Sequence, residues 1–224
     1  LQKSVVNYLP GVMGQKYPAG LGGYKLSRKG AFLLNDLHYG FTKNEDIWDS
    51  SFINIFLTKG PLNRPVQEFQ LGTIGLSPVE PDLIILPNTV KPVWSKFTVP
   101  YDISILTINP HMHLLGKSFK AYALQPNGDT IRLISIPRWD FNWQYFYTFK
   151  KMVVIPRGST IVAEAVFDNT DNNPYNPNRP PKTVAERMDF GGSSMRASDE
   201  MFQFIVTYLP YMEGGENRSL EWKK

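Results

Sequence analysis

The sequence predicts an all-β fold, an antiparallel β-sandwich or jelly roll. Three observations carry that reading. Runs rich in β-branched and aromatic residues recur between turn signals about eight to twelve residues apart, the spacing of sandwich strands. No apolar pattern repeats with helical period over the length of a helix. The 224 residues include 18 prolines, 17 glycines and 13% aromatic side chains, which suits strands joined by ordered loops.

Taken in order, residues 8–23 hold five glycines and two prolines and read as irregular. Residues 31–39 read as a strand ending at His38-Tyr39, and residues 51–58 as another, closed by Gly60 and Pro61. Gly75, Pro78, Pro81 and Pro87 make residues 72–92 the best domain junction. The apolar run 83–86 inside it reads as a short buried strand. Residues 102–108 alternate and are β-branched, a strand signal. Strands follow at 119–124 and 130–136, joined by the hairpin signal Pro126-Asn127-Gly128-Asp129. Two more, at 145–154 and 160–167, are separated by Pro156-Arg157-Gly158. Residues 168–178 are rich in Asn, Asp and Pro, which favour turns, and read as a long ordered loop. Its carboxylates and amides are of the type that holds calcium, but a plain Asx-turn loop is the simpler account. Residues 201–209 form the last strong strand, and the polar tail from Gly214 reads as loose. The resulting division is 1–71, 72–213 and a tail, 214–224.

Composition excludes several functions. The net charge of +4 is mild and no run of five basic residues exists, which argues against nucleic-acid binding. The absence of cysteine excludes disulfides, thiolate metal sites, iron–sulfur clusters and covalent haem attachment within this chain. No apolar run reaches the ~18 residues of a membrane span. The chain opens on Leu1-Gln2-Lys3 without an initiator Met and reads as a processed chain or a fragment.

The chemistry centres on Pro110-His111-Met112-His113-Leu114-Leu115-Gly116-Lys117, which holds two of only three histidines. If the preceding strand continues, its period of two puts His111 and His113 on one face and Met112 on the other. Two imidazoles about 7 Å apart along a strand can share one metal ion, given a third ligand from elsewhere. On the pair alone, metal binding competes with two ordinary hydrogen-bonded histidines.

His111-Met112-His113-Leu114-Leu115-Gly116-Lys117, followed far downstream by Gly191-Gly192 and Ser198-Asp199-Glu200-Met201, resembles the copper type II, ascorbate-dependent monooxygenases. Their bacterial relatives fit better still. These carry a Pro-His-Met-His element, an Asp-Phe-Asn-Trp-Gln stretch and an Asp-Asn-rich loop, here residues 110–113, 140–144 and 168–178. The resemblance implies two jelly-roll domains, each holding one copper across a solvent-filled cleft, with this chain beginning inside the first. It implies that His111, His113 and Met201 hold the copper that activates dioxygen for C–H hydroxylation. His38 would be one of three ligands of the other copper, which supplies an electron. The ligand types are consistent: a thioether favours Cu(I), and imidazole serves both oxidation states. Met188 and Met195 lie nearby, but Asp199-Glu200 before it and the apolar strand after it make Met201 the match. The resemblance also implies a periplasmic or extracellular setting and, in the bacterial branch, a c-type cytochrome domain or subunit as electron partner.

The sequence departs from the family in places. The first copper needs an adjacent His-His pair upstream of His38, and none is present. The Arg and Tyr that grip a peptide carboxylate are Asn109 and Ile205 here, and an Asn beyond the ligand Met is Gln203. Peptides ending in glycine are therefore not the expected substrates, and some other small organic molecule is. The leading expectation is the dioxygen-activating part of a copper monooxygenase. The alternative is a non-catalytic copper-binding or structural subunit of a larger cell-envelope assembly. A third reading is a carbohydrate- or surface-binding domain using Trp139 and Trp143, although Trp143 reads more naturally as core packing.

Overall fold

The computed structural model describes residues 16–18, 20–26, 28–29, 46–57, 64–186, 188–189, 192–193 and 196–221. They form an all-β structure with no α-helix. In chain order the strands are β1 (Gln67–Gly72), β2 (Ile84–Ile85), β3 (Thr89–Thr98), β4 (Ile103–Met112), β5 (Gly116–Leu124) and β6 (Thr130–Ile136). They continue as β7 (Tyr147–Ile155), β8 (Thr160–Asn169), β9 (Val184–Ala185), β10 (Met188–Asp189), β11 (Gly192–Ser193) and β12 (Phe202–Pro210), before a 3-10 turn at Gly215–Asn217. No helix among these residues is long and apolar enough to cross a membrane.

Two four-stranded sheets dominate, ordered β1-β12-β4-β7 and β3-β8-β5-β6, with antiparallel pairing throughout. Alternation along each strand gives each sheet one apolar face. Ile105, Met112, Phe202 and Phe204 from the first sheet meet Phe119 and Phe167 from the second in one buried cluster. That face-to-face packing makes the structure a β-sandwich. Phe119 is its hub, with ring centroids 5.6 Å from Phe202 and 5.8 Å from Phe204.

A smaller cluster covers the outer face of the first sheet. It joins Leu106, Met152 and Leu209 of the sheet to Leu21, Val66 and Leu220 from outside it. The tail expected to be loose is thus partly docked. Leu220 is 3% exposed and donates its N–H to the Lys150 carbonyl at 2.8 Å.

Several other expectations change. Residues 51–57 carry no strand, and Phe52 and Phe56 are more than 80% exposed. Their apolar content suits a sheet, but no described strand pairs with them, and a lone strand has no partner for its N–H and C=O groups. β1, which spans residue 71, pairs with β12 over its whole length. Residues 72–92 contain β2 and the start of β3. The strand expected at 31–39, with His38, lies outside the described residues.

One irregularity decides where the functional motif points. In the β12–β4 ladder Tyr208 pairs with Ile105 but Thr207 pairs with Thr107, so Leu106 is an extra residue in β4. Without that bulge, Ile103 and Ile105 on the core side would place His111 and His113 there too, since a slip of one residue exchanges the faces. With it, Ile108 and Met112 take the core side, and the histidines face outward.

Candidate metal centre

The centre forms where the two middle strands of the first sheet end. Phe202 pairs with Met112 and Gln203 with His111. Continued by one residue, that register sets Met201 opposite His113. Alternate residues share a face, so continuing the ladder would put His111, His113 and Met201 on the side away from the core-facing Met112 and Phe202. Met201 is 2% exposed yet belongs to neither apolar cluster.

The two imidazoles approach more closely than strand spacing alone implies. Their centroids are 5.1 Å apart with planes at 86°. A ring centroid lies roughly 3 Å from a metal bound at its nitrogen, so both rings are within reach of one ion.

Hydrogen bonds fix which nitrogen each ring presents. His113 Nδ1 lies 2.8 Å from the Asp199 carbonyl, which can only accept, so Nδ1–H donates. His111 Nδ1 bonds to Gln144 Oε1. The amide nitrogen of Gln144 is committed to the Phe141 carbonyl at 2.8 Å, which turns its oxygen to His111, and the ring again donates. Both lone pairs therefore sit on Nε2. This is how ligating histidines are usually held, with the other nitrogen oriented by a backbone or side-chain acceptor. Burial, then the neighbouring His113 ring, pulls His111 down to about 4, while its bond to Gln144 works in the opposite direction. His111 is thus neutral at pH 7, the form that binds metal.

Behind the rings lies a carboxylate, Glu200, only 1% exposed. Its Oε2 accepts the backbone N–H of His113 at 2.9 Å and of Met201 at 3.3 Å, and its Oε1 accepts that of Leu115 at 2.7 Å. Burial pushes this carboxyl up to about 8 against the pull of those three bonds. Gly116 ends the turn because a Cβ there would meet Trp139 Cδ1 at 2.6 Å. Phe141 stands edge-on to His113 at 5.9 Å.

The loop at 168–178 braces the turn. The Asn173 amide donates to the Asp168 carbonyl at 2.8 Å and to the Leu114 carbonyl at 3.3 Å. Buried Asn169 donates to the carbonyls of Ile85, Leu86 and Lys182. Asp168 is engaged by Lys117 and Thr170. These oxygens and amides serve the protein itself, so the loop is an Asx-turn brace rather than a calcium cradle.

Other residues singled out by sequence fall as follows. Asn109 is 3% exposed and gives its amide to the Tyr145 carbonyl at 2.9 Å. Gln203 gives its amide to the Thr73 carbonyl at 3.3 Å, and Ile205 is buried. Trp139 is core, whereas Trp143, expected in the core, is 60% exposed and stacks on Tyr145 with centroids 4.8 Å apart. The side chain of Met188, and Met195 altogether, lie outside the described residues. Sequence reasoning missed Gln144 as a partner of His111, although it had quoted the stretch that contains it. It also used Glu200 only as a signpost to Met201.

Among the described residues no three His, Asp, Glu or Cys side chains are grouped to hold a metal. A third protein donor from among the described residues would be of another kind, and Met201 is the candidate that the register offers. Two imidazoles and a thioether make a donor set that fits copper.

Residues 95–178 match the family model for the copper type II ascorbate-dependent monooxygenase, C-terminal domain. The match spans β3 through the Asn-rich loop and includes His111 and His113, but stops before Met201. No curated protein matches the chain.

Proposed function

We propose that this chain, whose residues 95–178 belong with the copper type II ascorbate-dependent monooxygenases, a copper-binding family, carries the dioxygen-activating copper domain of such an enzyme. His111, His113 and Met201 would hold the ion. Bound there, copper supplies activation of dioxygen for hydroxylating a substrate C–H bond, with electrons from an external donor.

The observation that carries the reading is the outward pair of imidazoles, each with its Nδ1 tied to an acceptor. The chain's own residues then have defined tasks. Gln144 and the Asp199 carbonyl orient the rings and hold their protons at Nδ1. Phe141 shields His113 on one side. Asn109 offers no charge to a carboxylate, and its amide is already committed to the backbone. The substrate is accordingly a small organic molecule other than a peptide with a free C-terminal glycine. The electron donor fits a c-type cytochrome domain or subunit, and the setting is periplasmic or extracellular.

A second reading is a copper-binding subunit without catalysis. It is favoured by the described residues, which bring together a single histidine pair.

Anaerobic titration of the purified protein tests the metal site. One equivalent of Cu(I) and of Cu(II) should bind. Met201→Ala should weaken Cu(I) more than Cu(II), because the soft ligand is lost and the imidazoles stay. His113→Ala should abolish tight binding of both. Equal weakening of the two oxidation states by Met201→Ala would remove Met201 from the ligand set. Oxygen consumption by the loaded protein with a one-electron donor then separates the enzyme from the subunit.

A further inference from the structure

Glu200 ties together two parts of the chain 87 residues apart. One of its oxygens bridges the N–H groups of His113 and Met201, and the other takes that of Leu115. His113 and Leu115 are 4% and 1% exposed, so without this acceptor their N–H groups would be buried and unpaired. The segment is fixed on other sides as well. Glu200 N–H donates to the Ala185 carbonyl at 3.3 Å, and Phe202 N–H to Thr73 Oγ1 at 3.0 Å. The ring of His113 has its own anchor in the Asp199 carbonyl, and that of His111 has Gln144. Met201 has no comparable anchor of its own side chain among the described hydrogen bonds. Beyond the end of the β12–β4 ladder, the backbone grip of Glu200 is what links residue 201 directly to the His113 backbone.

We propose that Glu200 is a positioning residue that registers Met201 against His113 and thereby sets how strongly the centre prefers Cu(I) over Cu(II). This rests on the copper reading above. The reasoning is chemical. A thioether contributes mainly to Cu(I), whereas imidazole contributes to both states. Loosening residue 201 while both rings stay anchored therefore weakens Cu(I) binding selectively. Glutamine cannot replace the carboxyl group, since either carboxyl oxygen can accept a backbone N–H whereas an NH₂ cannot.

The test is Glu200→Gln in the full chain, titrated with Cu(I)- and Cu(II)-specific chelators beside the unaltered protein. Cu(I) affinity should fall about tenfold or more, in the range seen when outer partners of metal ligands are lost, with Cu(II) affinity nearly unchanged. The midpoint potential should drop accordingly, and the copper–sulfur signal in X-ray absorption of the Cu(I) form should weaken. In a Met201→Ala background the same substitution should change the Cu(I)/Cu(II) ratio no further. An equal loss of both affinities, or an unchanged ratio, overturns the proposal and leaves Glu200 a structural residue. Failure of the unaltered protein to bind either ion overturns the copper reading itself. If Glu200→Gln does not fold, amide exchange in the unaltered protein decides. Loading with Cu(I) should slow exchange at His113, Leu115 and Met201 more than loading with Zn(II) does, and equal protection overturns the proposal.

Discussion

Gln144 shows how much of the proposed metal centre rests on side chains that would not touch the metal. Its amide is oriented by the Phe141 carbonyl, and its oxygen in turn orients His111. Neither bond is available to leucine, which has nearly the same length. Gln144→Leu should leave His111 free to rotate and to change tautomer, lowering affinity for Cu(I) and Cu(II) alike by about 10- to 100-fold. The same chelator titration checks this, and a loss confined to one oxidation state would contradict it. The contrast with Glu200 lies in what each residue holds: Gln144 holds an imidazole, which both ions use, and Glu200 holds the approach of a thioether. The residues proposed as ligands were singled out from local signals, the His-Met-His spacing and, through the family resemblance, the Asp-Glu-Met stretch. Their supports were not. Gln144 reaches back 33 residues to His111, and Glu200 reaches 87 to His113, and no local pattern encodes such a pairing.

At the scale of the element, the first sheet carries a polar row across its outer face. Glu68 on β1 pairs with Thr207 on β12, which pairs with Thr107 on β4, which pairs with Thr148 on β7. Tyr17 covers the row and bonds Thr107 at 2.9 Å, and Tyr24 lies beside it against Thr207. Burial under this cover pushes the Glu68 carboxyl up to about 7. The folded state therefore keeps a proton that the unfolded chain releases near the ordinary carboxylate pKa. The stability linked to that proton is fully present below about pH 4.3 and is lost as pH rises through 7. Glu68→Gln has no proton to lose. It should match the unaltered protein in urea unfolding at pH 4 and exceed it by about 1–2 kcal/mol at pH 8, less than the full shift implies because the group is partly exposed. A gap that does not change with pH would refute the assignment. Elements were legible in the sequence where turn chemistry framed them. The hairpin of β5 and β6 around Asn127-Gly128 and the strand β8 came within a few residues. β3 escaped notice because it contains Pro92, which argues against a strand although its polar and apolar residues alternate. Proline is tolerated there because β3 is an edge strand. The Leu106 bulge escaped notice too, since an extra residue in a strand leaves the apolar pattern looking continuous.

At the scale of the whole molecule, the core and the histidine pair of the proposed metal centre occupy opposite faces of one sheet. The core lies between the sheets and contains no histidine. The centre uses the ends of β4 and β12 on the outer side, and its backbone is held by Glu200 and the Asn-rich loop through hydrogen bonds within the protein. Stability and metal binding should therefore be separable, unlike small domains that fold only around their ion. The metal-free protein should unfold in one cooperative transition with its β-sheet circular dichroism intact beforehand. Copper then adds stability only by mass action. At a free concentration 100 times its dissociation constant the gain is about 2.7 kcal/mol. For a chain of this size that raises the melting temperature by about 5–10 °C. His113→Ala should melt near the temperature of the metal-free unaltered protein and show no response to copper. Calorimetry of the chelator-treated protein, with and without added copper, checks each part. A metal-free chain without a cooperative transition would mean that the centre helps to hold the sandwich together, against the separation that the two faces of the sheet imply.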